Sequence, residues 1–124
     1  MLGTDYGKAT ITFATTQVFA HGYKSSTYED LDLSAVIGAK QSLVMLKVTN
    51  ASAATPHQYF FRRNGATDDL NDDSIVALFI DHLSGDGSVG FLLVTTDTNG
   101  VVEWATNTTT TTEHCQVDME AYIQ

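Results

Sequence analysis

Residues 107–124 read NTTTTTEHCQVDMEAYIQ. After the threonine run, Cys115, Val117, Met119, Ala121 and Ile123 alternate with His114, Gln116, Asp118, Glu120, Tyr122 and Gln124. Successive side chains of a β-strand project to opposite faces, so this spacing predicts a strand with its odd-numbered face buried. Thr108–Thr112 make a poor core, because they are small, hydroxylated and β-branched. They read as an exterior loop leading into the strand.

Working outward, GSVGFLLVTT (87–96) and VVEWATN (101–107) flank DTNG (97–100). Asn99-Gly100 is the pair that supplies the positive φ angles of a type I′ turn, so these segments predict a hairpin. SIVALFIDHL (74–83) is apolar throughout, and its β-branched and aromatic residues favour strand over helix. HQYFFRRNG (57–65) is an aromatic strand ending at an Asn-Gly turn signal. QSLVMLKVTN (41–50) is nearly continuous in apolar residues and predicts a central strand covered on both faces. SAVIG (34–38) reads as one helical turn, with Ser34 as cap and Gly38 as terminator. STYEDLDLS (26–34) is a weaker strand with Leu31 and Leu33 inward. At the start of the chain, KATITFA (8–14) sets Ala9, Ile11 and Phe13 against Thr10 and Thr12, and QVFAHGY (17–23) follows after a polar step.

The expectation is an all-β fold: a single β-sandwich, jelly-roll-like, of about nine strands. Residues 25–124 form the sandwich domain, and residues 1–24 form an N-terminal strand segment. The 124 residues suffice for one core, and threonine, the commonest strand-favouring type here, occurs 18 times against a single proline. The start MLGTDYGKAT has neither the basic nor the apolar region of a signal peptide.

The formal net charge is −9, with 6 lysines and arginines against 15 aspartates and glutamates. Phosphate backbones and anionic membrane surfaces both require clustered cations, so nucleic acid is not an expected partner. No apolar run reaches the roughly 18 residues of a membrane-crossing helix, and membrane insertion is not expected. One cysteine forms no intrachain disulfide.

The motifs that could carry chemistry are weak. GDGSVG (85–90) matches a dinucleotide fingerprint, but a strand follows it where a helix N-terminus is needed, so it reads as a glycine-rich turn. Asp69, Asn71 and Asp73 have the first three ligand spacings of a calcium loop, whereas Ser74 and Ile80 stand where glycine and glutamate belong. A looser calcium site there is the one cofactor candidate. Arg62 and Arg63 point to opposite faces, and Arg63 shares its face with Tyr59 and Phe61. That places one arginine at the core edge in a salt bridge, or makes an arginine–aromatic ligand site. His114 and Cys115 face apart and form no nucleophile–base pair. Cys115 reads as a core residue, and His21, His57 and His82 share no metal-ligand spacing with His114. Trp104 shares its parity with Val102 and reads as core, the alternative being a sugar-stacking platform. Asn50 and Asn107 head glycosylation sequons in expected loops, and Thr108, Thr109, Thr110, Thr111 and Thr112 are candidate O-glycan acceptors. No catalytic constellation emerges, and the chain is not expected to be an enzyme.

LDLSAVIGAKQSLVMLKVTN (31–50), YFFRRNG (59–65) and TDTNGVVEWAT (96–106) together resemble small β-sandwich structural proteins of phage and environmental origin, including subunits of extracellular fibrils. The resemblance covers residues 30–124 and implies a structural role in a virion or fibre, outside the cell, with sugar contact in some relatives. Residues before 25 fall outside it. There, Ala9, Ile11 and Phe13 suggest an assembly strand donated to a neighbour's open sheet edge. Such head-to-tail contacts build filaments, and burying Ile11 and Phe13 would contribute about 3–6 kcal/mol before ordering costs. The leading expectation is therefore a self-assembling, glycan-bearing fibril or virion-fibre subunit. Its rival is a carbohydrate- or receptor-binding module that uses Trp104 or Tyr59 beside a calcium-holding loop.

Overall fold

The computed structural model describes residues 9–22, 26–51, 57–67, 78–83, 87–106 and 115–124, the side chains of 21, 22, 57 and 78–83 excepted. The strands are β1 (Ile11–Gly22), β2 (Glu29–Asp32), β3 (Leu43–Asn50), β4 (His57–Arg63), β5 (Leu78–Leu83), β6 (Ser88–Thr95), β7 (Val101–Thr106) and β8 (Cys115–Ile123). One helical turn, α1 (Ser34–Ile37), lies between β2 and β3. The described strands number eight rather than about nine, because KATITFA and QVFAHGY merge into β1.

The strands form two four-stranded sheets, with orders β1-β8-β3-β6 and β2-β7-β4-β5, and every pairing is antiparallel. The result is an all-β sandwich. The chain behaves as one long ribbon in which β1 meets β8, β2 meets β7, β3 meets β6 and β4 meets β5, with alternate pairs rolled into opposite sheets. That winding is a jelly roll. Its core combines Val44, Leu46 and Val48 of β3 and Val117 and Met119 of β8 with Tyr59, Phe61, Val102 and Trp104 of the other sheet. Trp104 lies edge-on to Phe19, ring centroids 4.7 Å apart, and stacks on Phe61 at 5.6 Å.

This winding overturns the expected β6–β7 hairpin, since the two strands belong to different sheets. Two bonds of the turn form, from Asp97 N–H to Val101 C=O at 3.0 Å and from Gly100 N–H to Asp97 C=O at 3.2 Å. The neighbouring backbone groups are taken by the segment before β3 instead: Thr96 N–H donates to Ser42 C=O, and Gly100 C=O accepts from Leu33 N–H. Thr96 Oγ1 is buried and accepts from Ser42 N–H at 3.0 Å. Gly100 sits at φ 80°, and a Cβ there would lie 2.7 Å from the Gly38 carbonyl oxygen, so only glycine fits this corner.

Two local expectations also change. Ser34 does not cap α1. Asp32 Oδ1 accepts from Ser34 N–H at 2.9 Å, while Gly38, at φ 78°, ends the turn as expected. β3 is central in its sheet but covered on one face only: Val44, Leu46 and Val48 are buried, whereas Met45 is exposed. Leu31 and Leu33 are buried as expected.

Candidate interaction surface

The alternation of β8 does not keep its apolar residues on one face. Met119 pairs with Leu46 of β3, but Ala121 pairs with Met45, so Glu120 is an extra residue in the ladder. This bulge reverses the parity beyond it. Cys115, Val117 and Met119 enter the core, and Tyr122, opposite Val44, packs against it. Ala121 and Ile123 turn to the outer face of the sheet, opposite Met45 and Leu43. β1 makes a matching irregularity between Phe13 and Thr16. A further shift between Gln17 and Phe19 brings Phe19 inward to Trp104, while Ile11 and Phe13, expected on the buried side, are 56% and 83% exposed.

Phe13, Ala121, Met45 and Leu93 consequently form one row across all four strands of the first sheet. Ile11, Ile123, Leu43 and Thr95 form the row beside it. An open groove of about 250 Å³ lies between these side chains, and its lining is apolar. Phe91 and Val89 extend the apolar surface along β6. All six exposed large hydrophobic residues among those described, Ile11, Phe13, Met45, Val89, Phe91 and Leu93, belong to this one sheet.

The polar part of the same face is paired. Lys47 Nζ lies 3.3 Å from Glu120 and 3.7 Å from Asp118, Thr15 Oγ1 donates to Glu120 at 3.0 Å, and Gln116 Nε2 donates to Asp118. On the outer face of the second sheet, Arg62 Nε donates to Glu103 Oε2 at 2.6 Å, and its guanidinium lies 3.7 Å above the Tyr28 ring. The expected arginine salt bridge is thus made by Arg62 with Glu103 of the neighbouring strand.

The Asp97 carboxylate organises the corner before β7. Its Oδ1 accepts from Asn99 N–H and Val101 N–H, and its Oδ2 from Asn64 Nδ2, each at 2.9 Å. Desolvation pushes this carboxyl up, but the hydrogen bonds from Val101, Asn64, Asn99 and Gly100 outweigh it and hold it below its ordinary value. Hydrogen bonds from the Ser34 side chain and backbone lower Asp32 likewise. Both are structural carboxylates at turns.

The residues singled out in the sequence separate clearly. Trp104 and Tyr59, the proposed sugar platforms, are 2% and 1% exposed and cannot stack on a ligand. Cys115 is buried in the core, as expected. Asn50 is not in a loop. It ends β3 with its side chain fully buried, which leaves no room for a glycan. Asp69, Asn71, Asp73, His114 and Asn107–Thr112 lie outside the described residues. Among those described, no three histidine, cysteine, aspartate or glutamate side chains come together as a metal site. No described helix is long and apolar enough to cross a membrane. Ile11 and Phe13 of the expected assembly strand are in β1, paired with β8 of the same chain, while Ala9 lies two residues before the strand and is exposed. The apolar role of β6 was missed because its outward residues looked like half of a hairpin.

Comparison with known proteins places the architecture at a distance. No family model matches the chain, and no curated protein does, so neither supports the specific phage or fibril grouping that its motifs resemble. Among solved structures, it is similar to the Tobacco streak virus coat protein, with 4% identity over 96% of this chain and 88% of that one and a TM-score of 0.40. The fold assignment rests on the two sheets themselves.

Proposed function

We propose that this chain is a non-enzymatic structural subunit that assembles with copies of itself, in an extracellular fibril or on a virion. The observation that supports this reading is the concentration of every described exposed large hydrophobic residue on one sheet. Scattered surface hydrophobics are ordinary, whereas a contiguous apolar patch marks a contact surface. Jelly rolls serve as capsid and lectin domains alike, so the winding alone does not choose between subunit and binding module. Burial of Trp104 and Tyr59 weighs against the binding module.

Strand donation is the finer form of the proposal. The β1 residues that pair with β8 in one chain would make the same ladder with the β8 of a neighbour, a domain swap. Asn107 and Thr108–Thr112 are the proposed glycan acceptors, read out by intact mass.

Sedimentation velocity and electron microscopy of the full chain test the assembly. The net charge of −9 makes copies repel. Raising salt shortens the screening length from about 10 Å at 0.1 M to about 3 Å at 1 M, so assembly should strengthen with salt. A chain that stays monomeric at every salt and protein concentration would sink the proposal.

A further inference from the structure

The strands at the edges of the two sheets differ in how they are protected. An edge strand presents unpaired N–H and C=O groups, and proteins ordinarily blunt such edges with charge, proline or short length. The second sheet follows this rule at β2, a strand of only 4 residues that carries Glu29, Asp30 and Asp32. At its other edge, β5 carries Asp81. The first sheet does not. Its edge strands are β1, ITFATTQVFAHG, of 12 residues, and β6, SVGFLLVT, of 8 residues. Neither contains Lys, Arg, Asp, Glu or Pro.

Strand direction adds a second observation. β1, β8, β3 and β6 are antiparallel at each of three successive junctions, so β1 and β6 run in opposite directions. If a second copy is placed beside the first in the same orientation, β6 of one meets β1 of the next antiparallel. The junction therefore continues the hydrogen-bonding pattern already present in the sheet. The apolar surface continues too, because Phe13 stands outward on one edge and Phe91 and Leu93 stand outward on the other.

Resting on the assembly reading above, we infer that the partner for this surface is a second copy of the chain, joined head to tail by β6 of one copy and β1 of the next. The register that covers most apolar surface sets Phe13 opposite Phe91 and Ile11 opposite Leu93. The two faces in contact are different, so the contact is heterologous and repeats without closing unless the accumulated rotation makes a ring. Each β1 stays on its own β8, which distinguishes this junction from strand donation.

The test uses Phe13→Cys and Phe91→Cys, each in the full chain. Both positions are exposed and both variants should keep the wild-type far-ultraviolet spectrum, while Cys115, 2% exposed, remains silent in the wild-type control. A short bismaleimide is added to each variant alone and to their mixture. Crosslinked dimer in the mixture, absent from either variant alone, is the expected result. Dimer formed by either variant alone would mean that like edges meet and would overturn the head-to-tail junction. Particles seen by sedimentation, with no crosslink in any sample, would overturn this junction and leave self-assembly standing. Absence of particles under every condition would overturn both.

Discussion

The first sheet turns Ile11, Phe13, Met45, Phe91 and Leu93 to solvent, whereas the second turns out Asp30 and an Arg62–Glu103 pair held at 2.6 Å. Inside, the two are alike, each contributing aliphatic and aromatic residues to one shared core. The contrast separates two uses of a sheet. The inner faces are fixed by folding, because burial there stabilises the domain itself. An outer face that remains apolar contributes nothing to folding, and one with satisfied charges is stable in water alone. The asymmetry is the ground for placing the proposed contact surface on the first sheet.

Substitutions that probe this contrast should differ widely in effect. Trp104→Ala removes the ring that joins Phe19 of one sheet to Phe61 of the other. It should cost about 3–5 kcal/mol in urea unfolding, enough to threaten the fold. Gly100→Ala forces a side chain into positive φ against the Gly38 carbonyl. The backbone strain alone should cost about 1–3 kcal/mol, seen as a lower thermal midpoint. Asp97→Ala leaves three donors at the corner to find new partners and should cost about 1–2 kcal/mol by the same assay.

Titration sharpens the last of these. The folded state holds Asp97 and Asp32 below the ordinary carboxylate value of 3.8, so it binds their protons less readily than the unfolded chain does. Their contribution is fully present above that value and is lost as pH falls through the lowered folded values. Stability of Asp97→Ala should accordingly fall less steeply than wild type between pH 4 and pH 2. Parallel acid-unfolding slopes would refute the role given to this carboxylate. The smallest effect on stability belongs to the outer face of the first sheet. Phe13→Lys should change unfolding free energy by no more than about 0.5 kcal/mol. The same substitution should nonetheless abolish assembly, because it adds a charge to an edge strand whose sequence has no acidic or basic residue but His21. If it unfolds the chain instead, Phe13 belongs to the core and the contrast between the sheets fails.

Much of the fold was legible from local pattern. Cys115, Val117 and Met119 lie inward as their alternation requires, and so do Leu31, Leu33, Val102 and Trp104. What local pattern could not convey was which strands meet. Asn99-Gly100 is turn chemistry whether the chain returns to the same sheet or crosses to the other, and distant groups at Leu33 and Ser42 decide the matter. In this winding only β4 and β5 pair as sequence neighbours, so a search for hairpins misreads the rest. The candidate surface was half legible: Ile11 and Phe13 stood out, but on the wrong side. Glu120 fits an alternating strand as an ordinary polar residue, and nothing in its side chain announces a bulge. Phe91 and Leu93 look like core until their pairing with Lys47 and Met45 reveals which face they share.

The bulge at Glu120 has a genetic consequence. A single-codon deletion there would remove the very residue that the bulge adds, so strict alternation would run on from Met119 with Ala121 and Ile123 still outward and Tyr122 still inward. The face offered to other molecules would survive that loss, whereas one residue gained or lost in an unbulged strand exchanges its two faces. A folded chain lacking Glu120 should bind as much of a fluorescent apolar dye as the intact chain.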